Sequence, residues 1–129
     1  MKFDLEEAKR LAGDGFWYLA TVYSKFPDGI EAAFVEAARV AARLVKAGLR
    51  VYSPIAHTHP IAVHGNMDPM DHPCWLSLDG AFMRAAVGII VVKMPGWEIS
   101  VGIDHELKEF DRMGKPCRFL DWPLQGELK

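Results

Sequence analysis

The stretch FWYLATVYSKFPDGIEAAFVEAARVAARLVKAGLRVYS, residues 16–53, decides the fold. Phe16–Val22 is apolar, aromatic and β-branched, the composition of a buried strand. Tyr23–Gly29 is polar and holds Pro27 and Gly29, which marks a loop. Ile30, Ala33, Phe34, Ala37, Ala41, Leu44 and Val45 then recur at helical spacing through to Ala47, and Lys46 and Gly48 close the helix. Leu49–Ser53 reads as a second short strand. Strand, helix and strand at these lengths make a βαβ unit, with parallel strands and a right-handed crossover.

The flanking sequence repeats the alternation. Phe3–Ala12 predicts a short helix that Gly13, Asp14 and Gly15 end, so residues 1–15 form an N-terminal helical segment. Pro54 to about Pro73 reads as a long loop rich in Pro, His and Met; loops of this length in a compact domain are commonly functional or mobile. Trp75–Ala86 predicts a helix, and Val87–Lys93 a strand whose continuous apolar run fits burial on both faces. After a turn at Met94–Glu98, Ser100–Met113 predicts a helix with Ile103, Leu107, Phe110 and Met113 facing inward. Ser100 is a natural N-cap and Gly114 a natural residue to follow the helix. Lys115–Asp121 is the fourth strand, and residues 122–129 read as a tail held by Trp122 and Leu124. The expectation is a single α/β domain over residues 1–129, a three-layer doubly wound parallel sheet of four to five strands. Ligands of such sheets bind beyond the carboxyl ends of the strands, where strand order reverses. Here those ends are Tyr23–Ser24, Ser53–His59, Met94–Ser100 and Asp121.

Composition narrows the function. The chain has 129 residues, enough for one domain, and a formal charge of −2 with histidine neutral. A protein that grips phosphate backbones carries a basic excess, so no nucleic-acid polymer is expected as partner. A small anion remains compatible, because helix N-termini bind anions without net positive charge. Cys74 and Cys117 are too few for a disulfide framework and are expected to be free packing thiols in a cytoplasmic protein. The N-terminus has no apolar signal core, and the apolar run at Ala85–Val92 is too short to span a bilayer, so no membrane partner is expected.

Four groups of residues are candidates for chemistry. In GWEISVGIDHE, residues 96–106, Ser100 and Gly102 stand where a helix start would offer free N–H groups to a phosphate or carboxylate. Glu106, beside Ile103 and Leu107, is a candidate nucleophile or base; the competing reading leaves Ser100 as a cap and Glu106 in solvent. In SPIAHTHP, residues 53–60, an extended backbone would point His57 and His59 the same way, towards a metal or ligand. With His64, Asp68, Asp71, His72 and Cys74 these could build a metal-dependent hydrolase, although no standard zinc spacing is present; the alternative is ligand-lining or structural histidines. Neither a metal nor a cofactor is assigned. In YLATVYS, residues 18–24, Tyr23 and Ser24 fall at the switch point, and Tyr18 fits either the site or the core. Asp79, between Leu78 and Phe82, is either a buried general acid or part of a polar helix face.

The motifs YLATVYS, SPIAHTHPI, W-x-x-x-D at Trp75–Asp79, and P-G-W-x-x-S-x-G-x-x-x-E at Pro95–Glu106, followed by Gly114-Lys115-Pro116, resemble a small bacterial and phage family of unknown function, DUF1937. More distantly they resemble the nucleoside 2-deoxyribosyltransferase superfamily. That second resemblance implies a flavodoxin-like sheet and cleavage of the N-glycosidic bond of a nucleoside or nucleotide. It implies Glu106 as nucleophile, Ser100 at a phosphate, Tyr18 near the sugar, and a homo-oligomer, dimer or tetramer. Trp97 and Gly102 enter the substrate site as part of the same motif. Transferases of the superfamily carry an aspartate just before the third strand. Here that stretch is Ala86-Val87-Gly88, which leaves Asp79, His57 or His59 as the acid. A third reading keeps the fold and the ligand but not the reaction: a non-catalytic nucleotide sensor.

Overall fold

Four short apolar runs pair into one sheet, and the helices between them cover its two faces. The computed structural model describes residues 2–128. In chain order the elements are α1 (Leu5–Ala12), β1 (Trp17–Ala20), α2 (Ile30–Lys46), β2 (Val51–Tyr52), α3 (Pro54–His64), α4 (His72–Ala85), β3 (Gly88–Val92), α5 (Val101–Arg112) and β4 (Cys117–Leu120), with a 3-10 turn at Trp97–Ile99. The sheet order is β2-β1-β3-β4 and every pair is parallel. Tyr18 lies opposite Tyr52 on one side and Ile89 on the other, and Val92 lies opposite Leu120. Strand order reverses between β1 and β3, the two strands buried along their whole length.

Successive strand residues point to opposite faces. Trp17 turns to one, where its indole N–H donates to the Ala8 carbonyl at 2.9 Å and fixes α1. Tyr18 turns to the other and packs on Phe110 of α5, ring centres 5.5 Å apart. Right-handed crossovers place α2 on the Trp17 side and α4 and α5 on the Tyr18 side. The result is the expected three-layer α/β fold of the flavodoxin-like type.

One correction concerns Pro54–Pro73, expected as a long loop. Residues Pro54–His64 are the helix α3. Ser53 caps it by accepting from the Ala56 N–H at 3.2 Å, and Pro54 sits in the first turn, where no N–H is needed. A composition rich in Pro, His and Met points to a loop, but Pro60 inside the helix is tolerated, and the helix packs along α2. Only residues 65–71 remain as connection, and α4, capped by Asp71, starts at His72, three residues before the expected Trp75. A second correction concerns Cys74, which is exposed and does not pack; Cys117 is half-buried, and both are free. Trp122 does hold the C-terminal segment, edge-on to Phe26 at 6.4 Å. Among the described residues no helix is long and apolar enough to cross a membrane.

Two details set the position of the site. The Lys115 ammonium donates to the carbonyls of Met83, Arg84 and Ala86 at 3.2, 2.6 and 2.7 Å, satisfying the open end of α4 and tying it to β4. Gly88 lets β3 approach β1: an added Cβ would stand 2.5 Å from both the Trp17 ring and the Pro116 carbonyl oxygen. Gly88→Ala is therefore expected to lower unfolding free energy by about 1–3 kcal/mol, read from urea denaturation; an unchanged midpoint would show that the strands can spread without loss.

Candidate functional site

The segment that follows the carboxyl end of β1, with α3, α4 and the start of α5, lines a cavity of about 110 Å³. It is lined by Glu106, Asp79, Thr21, Tyr23, Ser24 and Ser100, with Trp75, Ile55 and Ile103 among its apolar walls. Larger grooves of about 540 and 390 Å³ flank the C-terminal segment, around Leu124 and Pro123; the first reaches Leu120 and Asp121 at the end of β4, and neither is lined by Glu106 or Asp79. The small cavity is where the chemistry gathers.

Glu106 is positioned from both ends of the argument. Ser100 accepts from the Ile103 N–H at 3.2 Å, which starts α5 where β3 and its turn deliver it. Gly96 makes that turn possible: it has φ +94°, and a Cβ there would lie 2.5 Å from the Lys25 carbonyl oxygen. Six residues after the cap, Glu106 faces the sheet and accepts a short hydrogen bond from the hydroxyl of Tyr18. Tyr18 is itself held among Phe110 and Tyr52, and Tyr52 stacks on Phe82 with ring centres 4.0 Å apart. Tyr18 has its ring fully buried in the core and its hydroxyl bonded to a carboxyl that lines the cavity.

This setting perturbs the acids. Burial pushes the Glu106 carboxyl up to about 8; the Tyr18 hydrogen bond pulls against that rise, and the Asp79 charge adds to it. Burial alone pushes Asp79 up to about 6. Tyr18 is raised well above the usual phenol range by burial and then by the two carboxyls, so it stays a neutral donor. Around neutral pH the two carboxyls therefore hold about one proton between them. Asp79 is buried, and its Oδ1 has no hydrogen-bond partner among the described residues. The polar-face reading of Asp79 is thus replaced by a carboxyl turned inward.

Tyr18→Phe keeps the packing and removes the donor. The expected result is a Glu106 carboxyl that titrates at still higher pH in a ¹³C NMR titration. An unmoved titration would show that the hydroxyl does not hold the carboxylate.

The other expected residues divide. Tyr23, Ser24, Ser100 and Gly102 line the cavity with Glu106 and Asp79. His57 and His59 do not point the same way, because α3 is a helix and residues two apart leave it on nearly opposite sides. His57 meets the Tyr52 hydroxyl at 2.9 Å and packs on Phe82. His59 is buried against Phe34, with Nδ1 2.6 Å from the Tyr23 hydroxyl and Nε2 2.7 Å from Glu31. It ties α2, α3 and the segment after β1 together. No group of three or more His, Cys, Asp or Glu side chains among the described residues is placed to hold a metal ion. Trp97 packs on Phe119 at 5.6 Å, outside the cavity lining. Thr21 and Trp75 line the cavity and were not singled out for it; the signal for Thr21 was a lone hydroxyl in the otherwise apolar run Leu19–Val22.

Fold and site together define a doubly wound α/β protein with a Tyr-supported carboxyl pair at its switch point. The sequence matches the family described as a domain of unknown function (DUF1937) over residues 15–121, and the chain belongs to that family. No curated protein matches it.

Proposed function

We propose that this protein is an N-glycosidase or deoxyribosyltransferase of nucleosides or nucleotides that works through Glu106 as nucleophile. The observation that carries the reading is the hydroxyl of Tyr18 bonded to Glu106, in one cavity with the inward-turned Asp79. Of the one proton that the two carboxyls share near neutral pH, the form with Glu106 ionised against the neutral Tyr18 donor and the proton on Asp79 is the pairing that glycosyl transfer through a covalent intermediate requires. Glu106 attacks the anomeric carbon, and the C–N bonding pair leaves with the base. Asp79 gives its proton to the departing nitrogen. Water or a second base then attacks the same carbon, Asp79 takes up the proton, and the Glu106 ester is released. The cavity of about 110 Å³ is below the roughly 300–1,000 Å³ usual for whole small-molecule sites, which fits a pocket for the sugar with the base nearer its mouth.

The test is incubation with a panel of deoxynucleosides and their 5′-monophosphates, with released base measured by HPLC. Release from at least one substrate, lost in a Glu106 variant, supports the reading. Tight binding with no release marks a nucleotide sensor of the same fold, and neither binding nor release overturns both.

A further inference from the structure

The polar groups that line the cavity can be accounted for one by one. The Tyr23 hydroxyl is taken by His59, the Thr58 hydroxyl donates to the Pro54 carbonyl at 2.9 Å, and the Ser100 oxygen caps Ile103. Glu106 is bonded to Tyr18. Ser24 and His72 are exposed at the rim. Two buried atoms are left without a partner among the described residues, Thr21 Oγ1 and Asp79 Oδ1. Thr21 is 5% exposed and Asp79 9%, and both line this cavity.

An unpaired buried hydroxyl costs about 1–3 kcal/mol. Valine has nearly the same shape, suits a strand end equally well, and would avoid that loss. Folding alone therefore favours valine at position 21. The hydroxyl also follows directly on Ala20, the last residue of β1, at the point where strand order reverses. No lysine or arginine lines the cavity and two carboxyls do, so the group that meets Thr21 beside Asp79 is an uncharged one that offers hydrogen bonds.

We propose that Thr21 is a substrate-binding residue whose hydroxyl, with the open Oδ1 of Asp79, takes a sugar hydroxyl of the substrate. The assignment rests on the glycosyl-transfer reading above and names the part of the substrate that this end of the cavity recognises. Thr21 both donates and accepts, and the open Asp79 oxygen accepts while the other oxygen holds the acid proton, so one hydroxyl satisfies both. A site built this way discriminates against an analogue that lacks the hydroxyl, because its own buried groups are then left unpaired.

The experiment compares wild type, Thr21→Val and Thr21→Ser. Base release is measured with deoxynucleosides and with analogues lacking the 3′- or the 5′-hydroxyl, and nucleoside binding by calorimetry. Thr21→Val is expected to melt at or above the wild-type temperature yet lose at least 10-fold in kcat/KM, while Thr21→Ser stays within about 3-fold. One deoxy analogue is expected to lose rate with wild type and to be indifferent to Thr21→Val. Full activity of Thr21→Val, or equal sensitivity of both enzymes to every analogue, overturns the assignment. If wild type binds nucleosides without releasing base, the glycosyl-transfer reading fails alone, and weaker binding by Thr21→Val still upholds the contact. If wild type neither binds nor cleaves any nucleoside, both fall.

Discussion

Glu106→Gln is expected to lower base release by about 10³-fold or more and at the same time to make the protein more stable at alkaline pH. The loss follows from the role: an amide oxygen cannot form and release the glycosyl ester, and removing a covalent nucleophile eliminates the whole pathway it opens. The gain follows from burial. The folded carboxyl titrates at about 8, against 4.5 as its ordinary value. A raised carboxyl favours the fold fully below pH 4.5, and that contribution is lost as pH rises through about 8. Glutamine does not ionise, so wild type and variant should match near pH 4.5 and diverge up to about pH 8. Each pKa unit corresponds to about 1.4 kcal/mol, and solvent reaching the half-buried group reduces the sum, leaving about 2 kcal/mol in favour of the variant. Glutamine keeps an acceptor for the Tyr18 hydroxyl, so the packing around it is retained. Melting temperatures at pH 5 and pH 9 check this; equal destabilisation at both would mean that Glu106 supports the fold and is not held there for chemistry.

Asp79→Asn is expected to lower base release by about 10²–10³-fold, the usual contribution of a positioned general acid. The pH profile is the more telling readout. With both carboxyls present, activity should rise as one proton leaves the pair near pH 6 and fall as the second leaves near pH 8. Asparagine removes the acid, so the fall at high pH disappears and a single rising limb remains. That limb then follows Glu106 alone: it lies above the wild-type rise near pH 6, because burial still raises Glu106, and somewhat below pH 8, because the Asp79 charge no longer adds to that rise. Substrates whose base departs without protonation should recover much of the lost rate. A bell-shaped profile unchanged in Asp79→Asn would assign the acid elsewhere.

Much of this architecture is legible in local pattern. The helical spacing of Ile30 to Val45, the β-branched runs and the Ser100 cap all report short-range physics, and they place four parallel strands and the start of α5. Glu106 is legible for the same reason: it lies a fixed distance after a cap that follows a buried strand. The helix α3 was hidden by a composition rich in Pro, His and Met, although Ser53-Pro54 carried the sign of a helix start; the helix packs along α2 with Pro60 inside it. Mistaking helix for extended chain is also what made His57 and His59 look convergent, since a period of two and a period of 3.6 send them to opposite destinations. Trp97 shows the limit of motif-based placement: it lies within the P-G-W stretch but packs on Phe119, outside the cavity. Contacts between distant residues leave no local trace. Tyr18 and Glu106 are 88 positions apart, and the open valences of Thr21 and Asp79 emerge only when every neighbour's hydrogen bonds are counted.

The central claim is that Glu106 becomes covalently bonded to the sugar. Wild-type protein mixed with a nucleoside whose sugar carries an electron-withdrawing 2′-fluoro group should form a slowly hydrolysed ester, because fluorine disfavours the second displacement. Peptide mass spectrometry after rapid acid quench is predicted to find one fluorosugar residue on Glu106, with one equivalent of base released. Release of base with Glu106 unmodified, or a sugar adduct on another residue, would contradict it.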